Sequence, residues 1–137
     1  MMQTLHVKTK RRTQLLDITN EVARVVHSSG VKTGICFLYV PHTTGGILIN
    51  EHADPDVASD AEGTFDRLVP VNPNYKHSEG NTDSHVKTIL TGVSQFIFIE
   101  NGKLLCRIRW PSGPPSLSIF NSAIPKHLDS PIVLKFL

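Results

Sequence analysis

The stretch QFIFIENGKLL, Gln95 to Leu105, decides how this chain folds. Gln95 to Ile99 and Lys103 to Ile108 are apolar runs that read as strands, and Asn101-Gly102 joins them. Both joining residues tolerate the positive φ of a type I′ turn, which makes the pair the strongest short-range hairpin signal. Strands joined by so tight a turn run antiparallel.

Upstream, Ser84 to Thr91 reads as a short helix capped by Asn81 or Asp83 and stopped by Gly92, with Val86, Ile89 and Leu90 as its buried side. Asp54-Pro55 opens another helix, Asp as N-cap and Pro at the first helical position. Val57, Ala61, Phe65 and Leu68 form its apolar stripe. Gly34 to Val40 is nearly continuous in apolar residues and reads as a strand covered on both faces. Ile47 to Ile49 is a further strand, joined to it by a hairpin or leaving the sheet at a bulge. Asp17 to Ser29 reads as a helix with Ile18, Val22, Val25 and Val26 on one stripe and Gly30 as its stop. Met2 to Val7 begins the chain as a strand, followed by a basic run, Lys8 to Arg12, expected to be a solvated turn or edge. Leu117 to Phe120 and Ile132 to Leu137 are the last two strands. This order implies an α+β fold: a largely antiparallel β-sheet or sandwich with two to three helices packed on it. At 137 residues the chain is a single compact domain, 1–137.

A formal charge of +2 gives little reason to expect nucleic acid. No apolar run approaches membrane-spanning length, and no signal-peptide pattern precedes the first strand. Cys36 and Cys106 fall in apolar runs and read as buried thiols of a reducing, cytoplasmic protein.

Two polar clusters resist explanation as packing. HSEGNTDSH, His77 to His85, has no apolar residue at all. Pro41-His42-Thr43-Thr44-Gly45-Gly46 and Asn50-Glu51-His52-Ala53-Asp54 flank a strand upstream. The expectation is that the clusters meet in one site. Imidazole transfers protons near neutral pH or binds a transition metal, so His42, His77 and His85 are candidates for either role. Glu51 and Asp54 are candidate acid-base partners. Thr43, Thr44, Gly45, Gly80, Asn81 and Asp83 suit a phosphate or carboxylate, because small donors beside glycines allow close backbone approach. The eight-residue spacing of His77 and His85 matches no helix-borne metal pair. No Walker loop, dinucleotide fingerprint or nucleophile elbow occurs.

Pro41-His42-Thr43-Thr44-Gly45-Gly46, with Asn50-Glu51 and Ala53-Asp54-Pro55, resembles the first signature of the YjbQ family. His77-x-Glu79-Gly80-Asn81-x-Asp83-x-His85 is similar to its second, and Asn101-Gly102-Lys103-Leu104 to its later hairpin. The resemblance covers roughly residues 4 to 110. It implies a compact α+β homotrimer with a weak thiamine-phosphate synthase activity, joining a pyrimidine diphosphate to a thiazole phosphate with loss of pyrophosphate. A divalent metal, Mg or Zn, would suit the diphosphate. His42, Glu51, Asp54, His77, Asn81, Asp83 and His85 carry over as site residues. The chain departs from the family after its hairpin, with Arg109-Trp110-Pro111 and no acidic-Gly-Pro-Arg motif. The combined expectation is an enzyme acting on a small phosphorylated or diphosphorylated metabolite. The alternative is a metal- or anion-binding protein without catalysis, or a metal-dependent hydrolase.

Overall fold

The computed structural model describes residues 1–51, 54–105, 115–122 and 129–137. The expectations for His52, Cys106, the end of the Lys103–Ile108 strand and Arg109-Trp110-Pro111 fall outside the described residues. The strands are β1 (Met2–Lys8), β2 (Thr13–Asp17), β3 (Gly34–Tyr39), β4 (Gly45–Glu51), β5 (Ser94–Glu100), β6 (Lys103–Leu104), β7 (Pro115–Ser122) and β8 (Asp129–Phe136). The helices are α1 (Thr19–Ser29), α2 (Pro55–Leu68) and α3 (Thr82–Thr91). Every strand pairing is antiparallel. The pairings build a five-stranded sheet, β1-β8-β3-β5-β6, and a three-stranded sheet, β2-β7-β4. The chain therefore adopts the expected α+β fold.

The Asn101-Gly102 hairpin forms as its chemistry requires, with φ of 52° and 73°. Ile99 stands opposite Leu104, and Glu100 opposite Lys103. The step from β3 to β4 is not a hairpin: the chain leaves the large sheet and enters the small one. β2 was not expected at all. Its sequence, TQLLD, lacks clear alternation, and it is a strand because β7 supplies the ladder partner.

The core lies against one face of the large sheet. Cys36 and Leu38, Ile97 and Ile99, and Ile132 and Leu134 are buried there, with Val22 and Val26 of α1 and with Ile47 and Leu117 of the small sheet. Burying each such aliphatic side chain stabilises by about 1.5–3 kcal/mol. β3 is covered on this face only, which corrects the two-sided expectation. Phe37 and Tyr39 alternate outward, and Phe96 and Phe98 of β5 join them in an exposed aromatic face. Phe37 stands directly opposite Phe96, and the Phe96 and Phe98 rings meet edge to face.

The small sheet is covered on both sides. Ile47 and Leu117 face the core, so strand alternation turns Gly46 and Ser118 the other way, toward α3. Gly46, Ser118 and Thr13 make part of that surface small and polar, and the expected orientation of α3 is reversed. Asp83, Ser84, Lys87 and Thr88 are buried, whereas Ile89 and Leu90 are 78% and 60% exposed. The fully buried Lys87 sends its ammonium to Asp66 of α2 at 2.6 Å, Asp83 at 3.5 Å and Thr13 Oγ1 at 3.4 Å. Arg12 closes on the other Asp83 oxygen at 2.6 Å. Next to this cluster Arg11 forks onto Glu62, whose carboxylate also accepts from Leu15 N at 2.8 Å. Arg11 and Arg12 are thus anchors rather than parts of a solvated turn. In α2 the buried residue is Glu62. The expected stripe of Val57, Ala61 and Phe65 is only half-buried, and Leu68 is exposed.

Burial alone would raise the Asp66 pKa. Hydrogen bonds from Lys87 and Thr13, with the charges of Lys87 and Arg12, outweigh it and hold the carboxyl below its usual range. A depressed carboxylate stabilises the fold above its unfolded pKa, and that contribution fades as pH falls toward the folded value.

Removing one partner of a buried ion pair strands the other charge. Lys87→Met should therefore lower unfolding free energy in urea by about 3–5 kcal/mol. Gly46 has no room for a methyl group, because a Cβ there would lie 2.8 Å from the Gly92 carbonyl oxygen and against Thr91 Oγ1. Gly46→Ala should cost about 1–3 kcal/mol, read as a lower urea midpoint.

Candidate functional site

Pro41 ends β3 because it cannot extend the ladder, and the chain turns toward the small sheet. His42 sits in that turn. Its Nδ1 accepts from Thr44 N at 3.1 Å and lies 2.9 Å from Thr44 Oγ1. A backbone N–H can only donate, so the bonding network leaves the Nδ1 lone pair free of a proton. The neutral ring therefore carries its proton on Nε2.

The second arm of the site is the loop before α3. Gly80 adopts φ 66° and its N–H donates to the His77 carbonyl at 3.1 Å. This turn sets the His77 ring edge to face against His85, with centroids 5.1 Å apart at 78°. Glu79 places a carboxylate oxygen 3.7 Å from His77 Nε2 and accepts from Asn81 Nδ2 at 3.2 Å. His42, Thr43 and His85 line one open depression of about 670 Å³. That volume is in the range of small-molecule sites. Tyr39, Val40, Pro41, Ile89 and Val93 give it apolar walls, and Thr88 and Gly92 complete it. Burial first, and the nearby charge of His85 second, hold the His42 pKa below the ordinary imidazole value.

The structure brings together only part of the expected set. Thr43 lines the depression, and Thr44 is buried behind His42. Gly45 opens β4, and Glu51 closes it, roughly 20 Å away along an extended strand. Asp54 lies beyond Glu51 as the N-cap of α2, accepting from Asp56 N at 2.9 Å. Neither carboxylate is part of the depression's wall, and the carboxylate beside a histidine is Glu79. Asp83 points into the ion cluster, where Arg12 and Lys87 hold it. Asn81 stands at the N-cap of α3 but makes no side-chain cap bond. Sequence reasoning missed Tyr39, Thr88 and Val93 as pocket residues. The available signal for Thr88 was its i+3 spacing from His85 on one helix.

Among the described residues, Asn81 Oδ1, Thr82 Oγ1, His85 Nε2 and Thr88 Oγ1 are buried polar atoms without a hydrogen-bond partner. All four belong to α3 or its cap, and each costs about 1–3 kcal/mol while unsatisfied. The residues suit a metal ion poorly. His42 Nδ1 is already engaged by Thr44, and His77 meets His85 edge to face. No group of three or more His, Cys, Asp or Glu among the described residues is placed to hold a metal. No helix among them is long and apolar enough to cross a membrane.

His42 is harder to protonate in the folded chain than in the unfolded one. As pH falls through about 6.5, the unfolded state takes the proton first and stability drops toward the lower folded pKa. Urea midpoints at pH 7.5 and 5.5 should show this loss, and His42→Gln should reduce it. By NMR, the His42 midpoint should lie below about 6.5 and should rise in His85→Ala, which removes the neighbouring charge.

Comparison with known proteins places this geometry in context. Residues 3–108 match the family model described as UPF0047 protein YjbQ-like. UPF0047 protein YugU of Bacillus subtilis is 43% identical over 106 residues, covering 77% of this chain and 80% of that protein. A UPF0047 protein of Methanocaldococcus jannaschii is 47% identical over 105 residues, covering 77% and 76%. The crystal structure of an uncharacterised YjbQ/UPF0047 protein from Clostridium acetobutylicum superposes with a TM-score of 0.88 at 38% identity, covering 98% of this chain and 99% of that one. A hypothetical protein from Aeropyrum pernix superposes with the same TM-score at 26% identity, covering 100% and 98%. The match runs through both polar clusters and the hairpin, and the chain belongs to the YjbQ-like UPF0047 family.

Proposed function

We propose that the chain is an enzyme acting on a small phosphorylated or diphosphorylated metabolite in the depression between the β3–β4 turn and α3. The observation that carries this reading is the meeting of His42 and His85 in one wall, with His77 stacked behind. Neutral His42 presents an Nε2–H that can donate to an anionic oxygen. His85 Nε2 has no partner, and His85 is the ring left to move a proton. The Thr43 hydroxyl is a small donor suited to a phosphate oxygen.

The finer form of the proposal follows the family resemblance: a thiamine-phosphate synthase-like transfer, in which the donors would take up charge on departing pyrophosphate. With it goes a cytoplasmic homotrimer, which would bury the exposed aromatic face of Phe37, Tyr39, Phe96 and Phe98. Light scattering on the purified protein tests the assembly. A second reading is a protein that binds a small anion, or a divalent metal such as Mg or Zn, without catalysis, or that uses the metal for hydrolysis; the unpartnered His85 Nε2 and Thr88 Oγ1 favour its anion form. Metal analysis of the purified protein tests the metal forms of this reading, since they alone require a stoichiometric ion.

Phosphate and pyrophosphate release across a panel of phosphorylated metabolites, including the pyrimidine diphosphate and thiazole phosphate pair, tests the enzyme reading. His85→Ala should reduce kcat by about 100-fold or more while circular dichroism stays unchanged. Undiminished turnover in that variant would remove His85 from the chemistry, and a parent protein inert toward the whole panel would favour binding without catalysis.

A further inference from the structure

We infer that Thr88 is a ligand-binding residue of this pocket, and that with His85 it holds the phosphate of a phosphomonoester whose organic part is apolar. The inference rests on the phosphate reading above and deepens it. Thr88 lines the depression, yet it is only 4% exposed and its Oγ1 has no hydrogen-bond partner. His85 is three residues earlier on α3, so both side chains lie on the same side of the helix. Its Nε2 is likewise buried and without a partner.

The polar surroundings of α3 have been allotted elsewhere. Lys87 and Asp83 are consumed by the ion cluster, and Thr91 Oγ1 bonds back to the carbonyls of Lys87 and Thr88. Thr88 does not use the helical back-bond that satisfies Thr91. One of the χ1 rotamers open to a helical threonine engages the carbonyl of the preceding turn, and Thr88 Oγ1, which is not so engaged, is left for a ligand in the depression that Thr88 lines. A hydroxyl and an imidazole nitrogen can then share one phosphate group, a charge-assisted arrangement. The remaining wall is apolar, with Tyr39, Pro41, Ile89 and Val93 around a space of about 670 Å³. Inorganic phosphate alone would leave most of that wall unused.

Isothermal titration of the full chain with inorganic phosphate and with phenyl phosphate tests this. The parent should bind phenyl phosphate at least about tenfold more tightly than inorganic phosphate. Thr88→Val removes the hydroxyl and keeps the shape. It also leaves intact the Thr88 carbonyl, which accepts from Gly92 N at 2.9 Å. Its phenyl phosphate affinity should fall about tenfold, and Thr88→Ser should retain it. Circular dichroism should be unchanged in both. If Thr88→Val binds like the parent while His85→Ala does not, the Thr88 assignment is wrong and the phosphate pocket stands. Equal parent affinities for the two probes would overturn the apolar-ester class. If the parent binds neither probe, the inference falls together with the phosphate reading.

Discussion

An ammonium group buried to 1% exposure has to be neutralised where it lies, and Lys87 sets that condition for this fold. Taking an ion out of water costs several kcal/mol, which only well-placed partners offset. Here they come from three separate parts of the chain. Asp83 is one turn away on α3, Asp66 is on α2, and Thr13 opens β2; Arg12, in the connection before β2, holds the other Asp83 oxygen. The cluster ties both outer helices to the edge of the small sheet. Without it, α2 would rest on half-buried Val57, Ala61 and Phe65, with Glu62 as its one buried contact.

The same cluster orients α3 about its axis. With Asp83 and Lys87 held inward, successive 100° steps carry Thr88, His85 and Ile89 round to the side that faces the β3–β4 turn. The pocket is therefore a by-product of a buried salt bridge on the neighbouring face of the helix. Close approach is possible because Gly46 has no side chain where α3 ends, and because Ile47 N donates to the Gly92 carbonyl at 3.0 Å. Two glycines of the polar clusters thus have structural roles. Gly80 turns the loop that stacks His77 on His85, and Gly46 admits the helix.

Much of the fold was legible in the sequence. Asn101-Gly102 turns as local sterics require, Asp54-Pro55 starts α2 as capping chemistry predicts, and Gly30 ends α1 in the left-handed region. Each is a short-range effect within a few residues. The α1 stripe also held, since Ile18, Val22 and Val26 are buried, because α1 packs against an apolar core. The same periodicity argument failed for α3. It assumes that the face opposite a helix is apolar, and here that face includes Gly46, Ser118 and Thr13. Of the candidate site, His42, Thr43 and His85 were identified by residue type and do share a pocket, with His77 against His85. Glu51 and Asp54 were grouped with them because they are near in sequence, but an extended strand separates neighbours quickly.

By itself, then, the sequence determined the N-cap of α2, the glycine stop of α1, the hairpin turn, the α1 core stripe and the identity of the polar clusters, because these depend on backbone sterics, local hydrogen bonding and helical periodicity. Only the tertiary structure decided that the strands divide into two sheets, that β2 exists, that α3 buries its charged side, and that Thr88 rather than Asp83 faces the pocket. Those outcomes depend on which surface each element meets across space. For α3 that surface includes Gly46, Ser118 and Thr13 of the small sheet and Asp66 of α2, and the sequence of α3 alone does not record which of them it meets.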